Sequence, residues 1–450
     1  MFDSIKRWLG RPPPPPINCD PFGREARQVA QASTRRPAPP PPPPELPPVL
    51  LQRAEIIDAK TRIAGYRFDV QGTGPSQEVD PSAAFDALVA ANVAAFAQRR
   101  MTMIPLNAQN WFKFDFPSLI GPHTVFLLDR APANAENFDR WREVVKSIRS
   151  AGARVGIAGA DIAGERQLID DYADFLLLDY PSYSLPNFER VVAQLAREQP
   201  SLEIAAANIG SWAERRYCVA RGLAYCMGSF TTAADETQQS GEIGQDRLVL
   251  IEMLNLVRSD ADAAAIAAIA RRDPGVAIKI VSMANSPLQG LSTPVASIDQ
   301  ACMVLGREQL YRWLSICMFR ATPGSPRDEI LLELALRRGR FLELVGRDLR
   351  DKGVRDELFL LGLLSLLDCM LGVPMAKVLE RLHISKELRD VLLRSEGPLA
   401  RYLSLAIAVE KGGVENIARL CGELAIAESE IGAASTAALA WAEEAMRHGK

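Results

Sequence analysis

Histidine is scarce. The 450 residues hold three, His123, His383 and His448. A metal centre built on imidazoles needs more of them in one place, so that chemistry is excluded. The seven cysteines, at 19, 218, 226, 302, 317, 369 and 421, form no CxxC and no closely spaced ligand set. This excludes a zinc ribbon or a disulfide framework and points to reduced, mostly buried thiols in a cytoplasmic protein. Charge of one sign is also lacking. A net charge of −3 gives no field that would draw the chain to nucleic acid, and no nucleic-acid partner is expected. No apolar run reaches the roughly 18 residues of a membrane span. The longest candidate, LFLLGLLSLLD from Leu358, is broken by Gly362 and Ser365. The opening MFDSIKRWLG lacks the apolar core of a signal peptide. It gathers Phe2, Ile5, Trp8 and Leu9 near one helical face beside Lys6 and Arg7. So short a helix frays without support, and a tail is expected there.

Proline, by contrast, is concentrated. The tracts RPPPPPI and PAPPPPPPELPP lie between residues 11 and 48. Proline fixes φ and removes the amide donor, so these tracts belong to extended polyproline II. Residues 1–48 are read as a Pro-rich, largely disordered segment that acts as a spacer. A docking site for a proline-recognising domain is the alternative.

Residues 49–235 alternate. Strand-like runs are VLLQRAEIID, IAGYRFDV, MTMIPLN, HTVFLLD, RVGIAGA, FLLLD, EIAAANI and AYCMGSF. Between them lie helix-like runs: SAAFDALVAANVAAFAQRR, NAENFDRWREVVKSIRSAG, ERQLIDDYA, PNFERVVAQLAREQP and WAERRYCVARG. Short strands alternating with amphipathic helices predict βα units around a parallel sheet, closed or nearly closed into a TIM-like barrel. From about residue 240 to 440 the apolar spacing is helical throughout, which predicts an all-α domain. Ser259, Ser297 and Ser385 are expected N-caps, and Gly306 and Gly372 expected stops. The connection TTAADETQQSGEIGQ, polar and poor in large apolar residues, is expected to be exposed. The helices carry full apolar faces, so the helical half is expected to fold without the barrel.

Within the helical half, DPGVAIKIVSMANSP (Asp273–Pro287) is followed by VASIDQACMVLG (Val295–Gly306). Asp273 suits a cap, Pro274 a first turn, and Val276, Ile280 and Met283 one buried face. Asn285 and Ser286 can tie down the loop that follows. A DP opening a helix that ends in NS, then a helix closing on glycine, resembles the HDOD domain of bacterial signalling proteins. LFLLGLLSLLDCMLGVPMAKVLERLHIS (Leu358–Ser385) extends the likeness to proteins that fuse an EAL domain to HDOD. HDOD domains are related to HD-type phosphohydrolases without their metal ligands. The sequence agrees, because no histidine precedes an aspartate and only His383 lies inside the helical body. His383 is read as a packed or surface residue.

The first half resembles a degenerate EAL domain, the fold of cyclic di-GMP phosphodiesterases. Those enzymes hold two divalent metals on oxygen ligands and activate water. In TRIAGYRFDV, Arg67 stands where that resemblance places the signature glutamate. A fixed cation repels a metal; Arg67 is read as a salt-bridge residue, with phosphate contact as the alternative. Asn107 matches the metal-binding asparagine. TVFLLD offers leucine where a glutamate ligand belongs, with Asp129 close by. GARVGIAGAD puts Ala158 and Gly159 at the two aspartates, and Asp161 is displaced to a loop or cap. DFLLLD keeps Asp174 and Asp179 but has Leu177 for the catalytic lysine. Gly210 in AANIGS replaces a glutamate, and Met227 in CMGSF replaces a glutamine.

The expectation is therefore a degenerate EAL barrel followed by an HDOD domain, with no catalytic, cofactor-binding or metal residues. It would serve as a non-catalytic bacterial signalling scaffold acting on signalling proteins, in cyclic di-GMP-related regulation. A divergent cyclic di-GMP phosphodiesterase, or a receptor that binds cyclic di-GMP without cutting it, are the alternatives; binding in the barrel is not expected. Deleting residues 1–48 is expected to leave the melting temperature nearly unchanged, since so proline-rich a segment builds no packed core. A large drop in a thermal melt of the truncated chain would show that the segment packs on the body.

Overall fold

The computed structural model describes residues 49–448, apart from 73–78, 129–134, 159–171, 236, 238–241, 286–294, 296, 319–325 and 350–351. The Pro-rich segment and the run ERQLIDDYA up to Asp171 lie outside the described residues. So do Cys19, Asp129, Gly159, Asp161 and Ser286.

All eight predicted strands form: β1 (Val49–Asp58), β2 (Ile63–Gly72), β3 (Met101–Leu106), β4 (Thr124–Leu128), β5 (Arg154–Ala158), β6 (Phe175–Asp179), β7 (Glu203–Ala207) and β8 (Tyr225–Cys226). They close into one barrel in chain order. The expectation of a parallel sheet holds for β2 to β8 and fails for β1, which is antiparallel to both neighbours. The link from Asp58 to Ile63 is far too short for the crossover that parallel pairing demands. Asp58 holds this turn with its carboxylate, taking the Arg62 N–H at 2.8 Å and the Arg62 guanidinium at 2.7 and 2.9 Å.

The barrel helices are α1 (Pro81–Ala90), α2 (Val93–Ala97), α3 (Ala135–Ser150), α4 (Leu185–Glu198) and α5 (Trp212–Ala220). The single helix expected over 82–100 is two, because Asn92 adopts a left-handed conformation with φ 53°. The helical half comprises α6 (Gln245–Arg258), α7 (Ala263–Ala270), α8 (Pro274–Ala284), α9 (Ile298–Met318), α10 (Pro326–Val345) and α11 (Lys352–Leu364). It continues through α12 (Leu367–Leu371), α13 (Met375–Arg381), α14 (Lys386–Arg394), α15 (Ala400–Lys411), α16 (Val414–Leu424) and α17 (Glu428–His448).

Asp273 caps α8 through the Gly275 and Val276 amides, and Ser385 caps α14 through Leu388. Ser297 accepts the Gln300 N–H, and Gly372 ends α12 with left-handed backbone. Asn285 grips Val295 from both sides, at 2.7 and 2.6 Å. One cap assignment changes. Ser259 ends α6 rather than starting a helix, and Asp262 caps α7 instead. Gly306 (φ 68°, ψ 166°) breaks α9 with non-helical backbone, as expected of a stop, and a second helical stretch follows it. Part of the polar connection is buried as well: Asp235, 5% exposed, is held by Arg216 at 3.0 Å and by Thr237. No single helix among the described residues is long and apolar enough to cross a membrane. The bent pair Val354–Leu371 and Met375–Arg381, which passes by length and composition, turns through 113°.

Alternation along the strands sorts side chains into two cores. Ile56, Met103, Val125, Leu127, Phe175, Leu177, Ala205 and Met227 fill the barrel. Tyr66 and Phe68 face outward into a second core that runs on through the helices. There α15 and α17 lie against β1, and α10 reaches it through charged side chains. Glu333 on α10, 1% exposed, accepts from the Tyr66 hydroxyl at 2.5 Å. Arg100 reaches the same hydroxyl at 2.5 Å and Glu333 at 3.4 Å, while Arg53 stands 3.5 Å from Glu333 and 3.9 Å over the Tyr66 ring. Arg337 binds Glu55 at 2.6 Å, and Arg338 binds Glu410 at 3.0 and 2.7 Å. Burial pushes the Tyr66 phenol up, and the Glu333 charge pushes it further, so the phenol keeps its proton.

Two outcomes follow. Glu333→Ala leaves Arg53 and Arg100 without their shared carboxylate and should destabilise the protein by about 3–5 kcal/mol, read from equilibrium urea unfolding. A loss under about 1 kcal/mol, the range of an exposed pair, would show that water reaches the joint. The autonomous helical half expected above does not fit a core shared with β1 and β2. Residues 240–450 expressed alone should give a product without a cooperative melt; a sharp transition would restore the original expectation.

Candidate functional site

In barrels of this kind, chemistry gathers at the carboxyl ends of the parallel strands. Arg67 on β2 pairs in register with Met103, which points into the barrel, so Arg67 points inward too. Its guanidinium meets the Asp69 carboxylate at 2.7 Å. Burial raises the Asp69 carboxyl and Arg67 opposes that shift without cancelling it. The salt-bridge reading of Arg67 is thus the geometry found, and Asp69 is its partner. Asp69 was legible, because residues two apart on a strand share a face, but the sequence reading passed over it.

Asn107 lies just past β3. Its Oδ1 accepts the Gln109 N–H at 2.9 Å and caps a short 3₁₀ turn, Ala108–Asn110. On β4 the inward residue is Leu127, 2% exposed. Ala158 ends β5 and packs against the interior cluster. On β6, Leu177 is inward and 3% exposed. Asp179 sits on the rim, taking the Ser182 hydroxyl and, at 2.8 Å, the Asn208 side-chain N–H. Asp174 is at the opposite end of the barrel, where its carboxylate takes Arg149 at 2.8 Å and the Val155 N–H at 2.9 Å. Gly210 lies past β7, and its N–H donates to Glu214 within the capping box of α5. The residue that β7 itself turns inward at this level is Ala207. Met227 is inward and 2% exposed.

The mouth therefore brings together one Arg–Asp pair and a rim of Asn107, Asp179 and Asn208 whose side chains bind their own neighbours. Two divalent cations need several carboxylates free to ligate them, and the donors among the described residues do not fit. Among the described residues, no group of three or more His, Cys, Asp and Glu is placed to hold a metal ion. His383 is exposed, and its backbone N–H donates to Asn255 at 2.6 Å. The six described cysteines are buried and form no disulfide with one another.

A second feature, which the sequence reading missed, is a cleft of about 600 Å³ between α6, α9 and α11. Its arginines and acids come from separate helices. Only the packing of those helices brings them together.

The chain resembles several known proteins. It is 22% identical over 227 residues to the cyclic di-GMP phosphodiesterase CdgJ of Vibrio cholerae serotype O1, covering 50% of this chain and 52% of that protein. It is 25% identical over 155 residues to the uncharacterized protein YuxH of Bacillus subtilis, covering 34% and 38%. The chain thus spans about half, or less, of the length of these relatives. Among solved structures, Klebsiella pneumoniae BlrP1 in its calcium and cyclic di-GMP complex aligns over 42% of this chain and 57% of its own, with 17% identity and a TM-score of 0.35. The EAL domain of Xanthomonas citri FimX with cyclic di-GMP aligns over 41% and 87%, with 12% identity and a TM-score of 0.33. The description "HDOD domain" matches residues 248–380, and this part of the helical half, from within α6 to within α13, is an HDOD domain.

Proposed function

We propose that this chain is a non-catalytic signalling scaffold of cyclic di-GMP-related regulation, in which the barrel no longer hydrolyses a phosphodiester and output runs through protein contacts. One observation carries the reading. Where metal ligands and a lysine would have to project into the barrel, Leu127, Leu177, Ala207 and Met227 project instead, and the cation of Arg67 is closed on Asp69. The aliphatic positions offer no oxygen to a divalent ion and no base to a water, and the Asp69 carboxylate on the same inner face is taken up by Arg67. A stable barrel still presents loops, and helical domains present grooves that suit partner helices. The setting is the cytoplasm, where buried, unpaired thiols persist.

The name of the Vibrio cholerae relative favours a second reading, a divergent phosphodiesterase with a rebuilt centre. A turnover assay with cyclic di-GMP and excess magnesium or manganese separates the two. No product is expected from the purified chain. Arg67→Glu is expected to stay inactive as well, because one restored carboxylate leaves the leucine and methionine positions unchanged. Metal-dependent product that co-purifies with the full chain would overturn the scaffold reading.

A further inference from the structure

Between β2 and β3 the chain returns through α1 and α2, between β4 and β5 through α3, between β6 and β7 through α4, and between β7 and β8 through α5. The step from β3 to β4 is different. Residues 107–123 hold two 3₁₀ turns, Ala108–Asn110 and Phe116–Leu119, and no α-helix. Trp111 and Phe116 pack on Phe126 of β4 and cover the strand there. The layer outside them is incomplete. Phe85 on α1 stacks on Phe114 at 5.6 Å, and both rings are only half-buried. Phe112, two residues from Phe114, is 59% exposed, and Val89, one turn along α1 from Phe85, is 48% exposed. Large apolar side chains grouped on a surface mark a contact site. Asp86 and Asp115, each next in sequence to one of the stacked rings, are exposed, and their carboxylates make no hydrogen bond or ion pair among the described residues. Lys113 leans on Asn110 at 3.3 Å.

The chain itself supplies an occupant. Phe2, Ile5, Trp8 and Leu9 gather near one helical face beside Lys6 and Arg7. Spacing of three and four residues gives one apolar stripe, and a helix so short holds only against a surface. The segment's tether enters the body at Val49, the first residue of β1, and α1 packs on β1 and β2. The point of entry is therefore a strand that the helix carrying Phe85 and Val89 already touches. The tether is residues 10–48. Extended at about 3.1 Å per residue, it reaches roughly 120 Å, several times the roughly 33 Å spanned by the 10 residues of β1.

We propose that residues 2–9 dock on this flank of their own barrel, in the place where the β3–β4 crossover has no helix. Their apolar face meets Phe85, Val89, Phe112 and Phe114, and Lys6 and Arg7 face Asp86 and Asp115. Tethering favours this segment over a second copy, because a linked segment meets the flank at millimolar effective concentration. An acidic partner helix would meet the two aspartates with the wrong sign. The contact is peripheral, so its loss leaves the melting temperature nearly unchanged. The inference stands whether or not the barrel hydrolyses anything.

The test is hydrogen exchange of the full chain, read by mass spectrometry on the fragment covering residues 2–9. Docking should slow exchange there about tenfold relative to the same peptide free in solution, the ratio of a millimolar effective concentration to an affinity of about 0.1 mM. Ile5→Ser with Trp8→Ser should return the segment to the free rate. So should Phe112→Ser, and an unchanged thermal melt shows that this variant keeps its fold. Lys6→Glu with Arg7→Glu should cut the protection by about threefold, the worth of exposed ion pairs. Adding Asp86→Lys and Asp115→Lys to that chain should restore it. Exchange at the free rate in the unaltered chain would overturn the proposal. So would protection that Phe112→Ser leaves intact, which puts the segment elsewhere. Protection that fades on dilution, together with a dimer seen by light scattering, would also overturn it, since the occupant would then be the segment of a second copy.

Discussion

Glu333 carries its carboxylate where water does not reach, and the barrel answers it with the Tyr66 hydroxyl, Arg100 and Arg53. A buried charge is tolerated only when it is met. The partners come from β1, β2 and the segment leading into β3, so α10 can sit at one height and one rotation against the barrel. Apolar contacts alone would allow it to slide, since Leu and Phe surfaces accept many registers. The flanking pairs, Arg337 with Glu55 and Arg338 with Glu410, repeat the constraint one turn further along α10. The β1–β2 hairpin thereby belongs to both halves. Its inner face lines the barrel, and its outer face is the floor of the helical core.

Much of the fold was legible because it is written in local periodicity. Eight strands and the helical half follow from spacing that repeats every two residues or every three to four. The direction of β1 was passed over: the short polar turn between Asp58 and Ile63 rules out parallel pairing, yet a parallel sheet was expected throughout. What escaped was long-range. Nothing near Glu333 in the sequence announces Tyr66, which lies 267 residues away. The expectation of a free-standing helical half was drawn without sight of the core shared with β1 and β2, because an apolar face does not say what covers it. Ser259 misled because serine also ends helices, and Asp262, three residues on, is the cap that forms. At the barrel mouth, the residue types at Arg67, Leu177 and Met227 were legible one by one. The closing of Arg67 on Asp69 needed the strand pleat to be seen, and the cleft beside Tyr311 needed three helices to be placed.

The barrel interior is filled mainly by apolar side chains. A Cβ on Gly156 would lie 2.6 Å from a Leu127 methyl, so the leucine occupies the room that the glycine vacates. Leu127, Leu177 and Met227 interlock across the axis as a packed core would. The space along these strands is taken by packing, and opening it would mean changing several neighbours together.

The crossing of α10 and α11 is unusually close. A Cβ on Gly362 would lie 2.4 Å from the Gly339 backbone, and one on Gly339 would lie 2.8 Å from the Phe359 carbonyl. With backbone against backbone, no layer of side chains is left between the two helices to yield by changing rotamer. Shear between packed helices relies on such a layer. The pair must therefore turn as one stiff lever. One arm, on α11, borders the cleft beside Tyr311; the other, on α10, holds Glu333 against the barrel. Two glycines therefore fix the spacing between the cleft and the Glu333 joint.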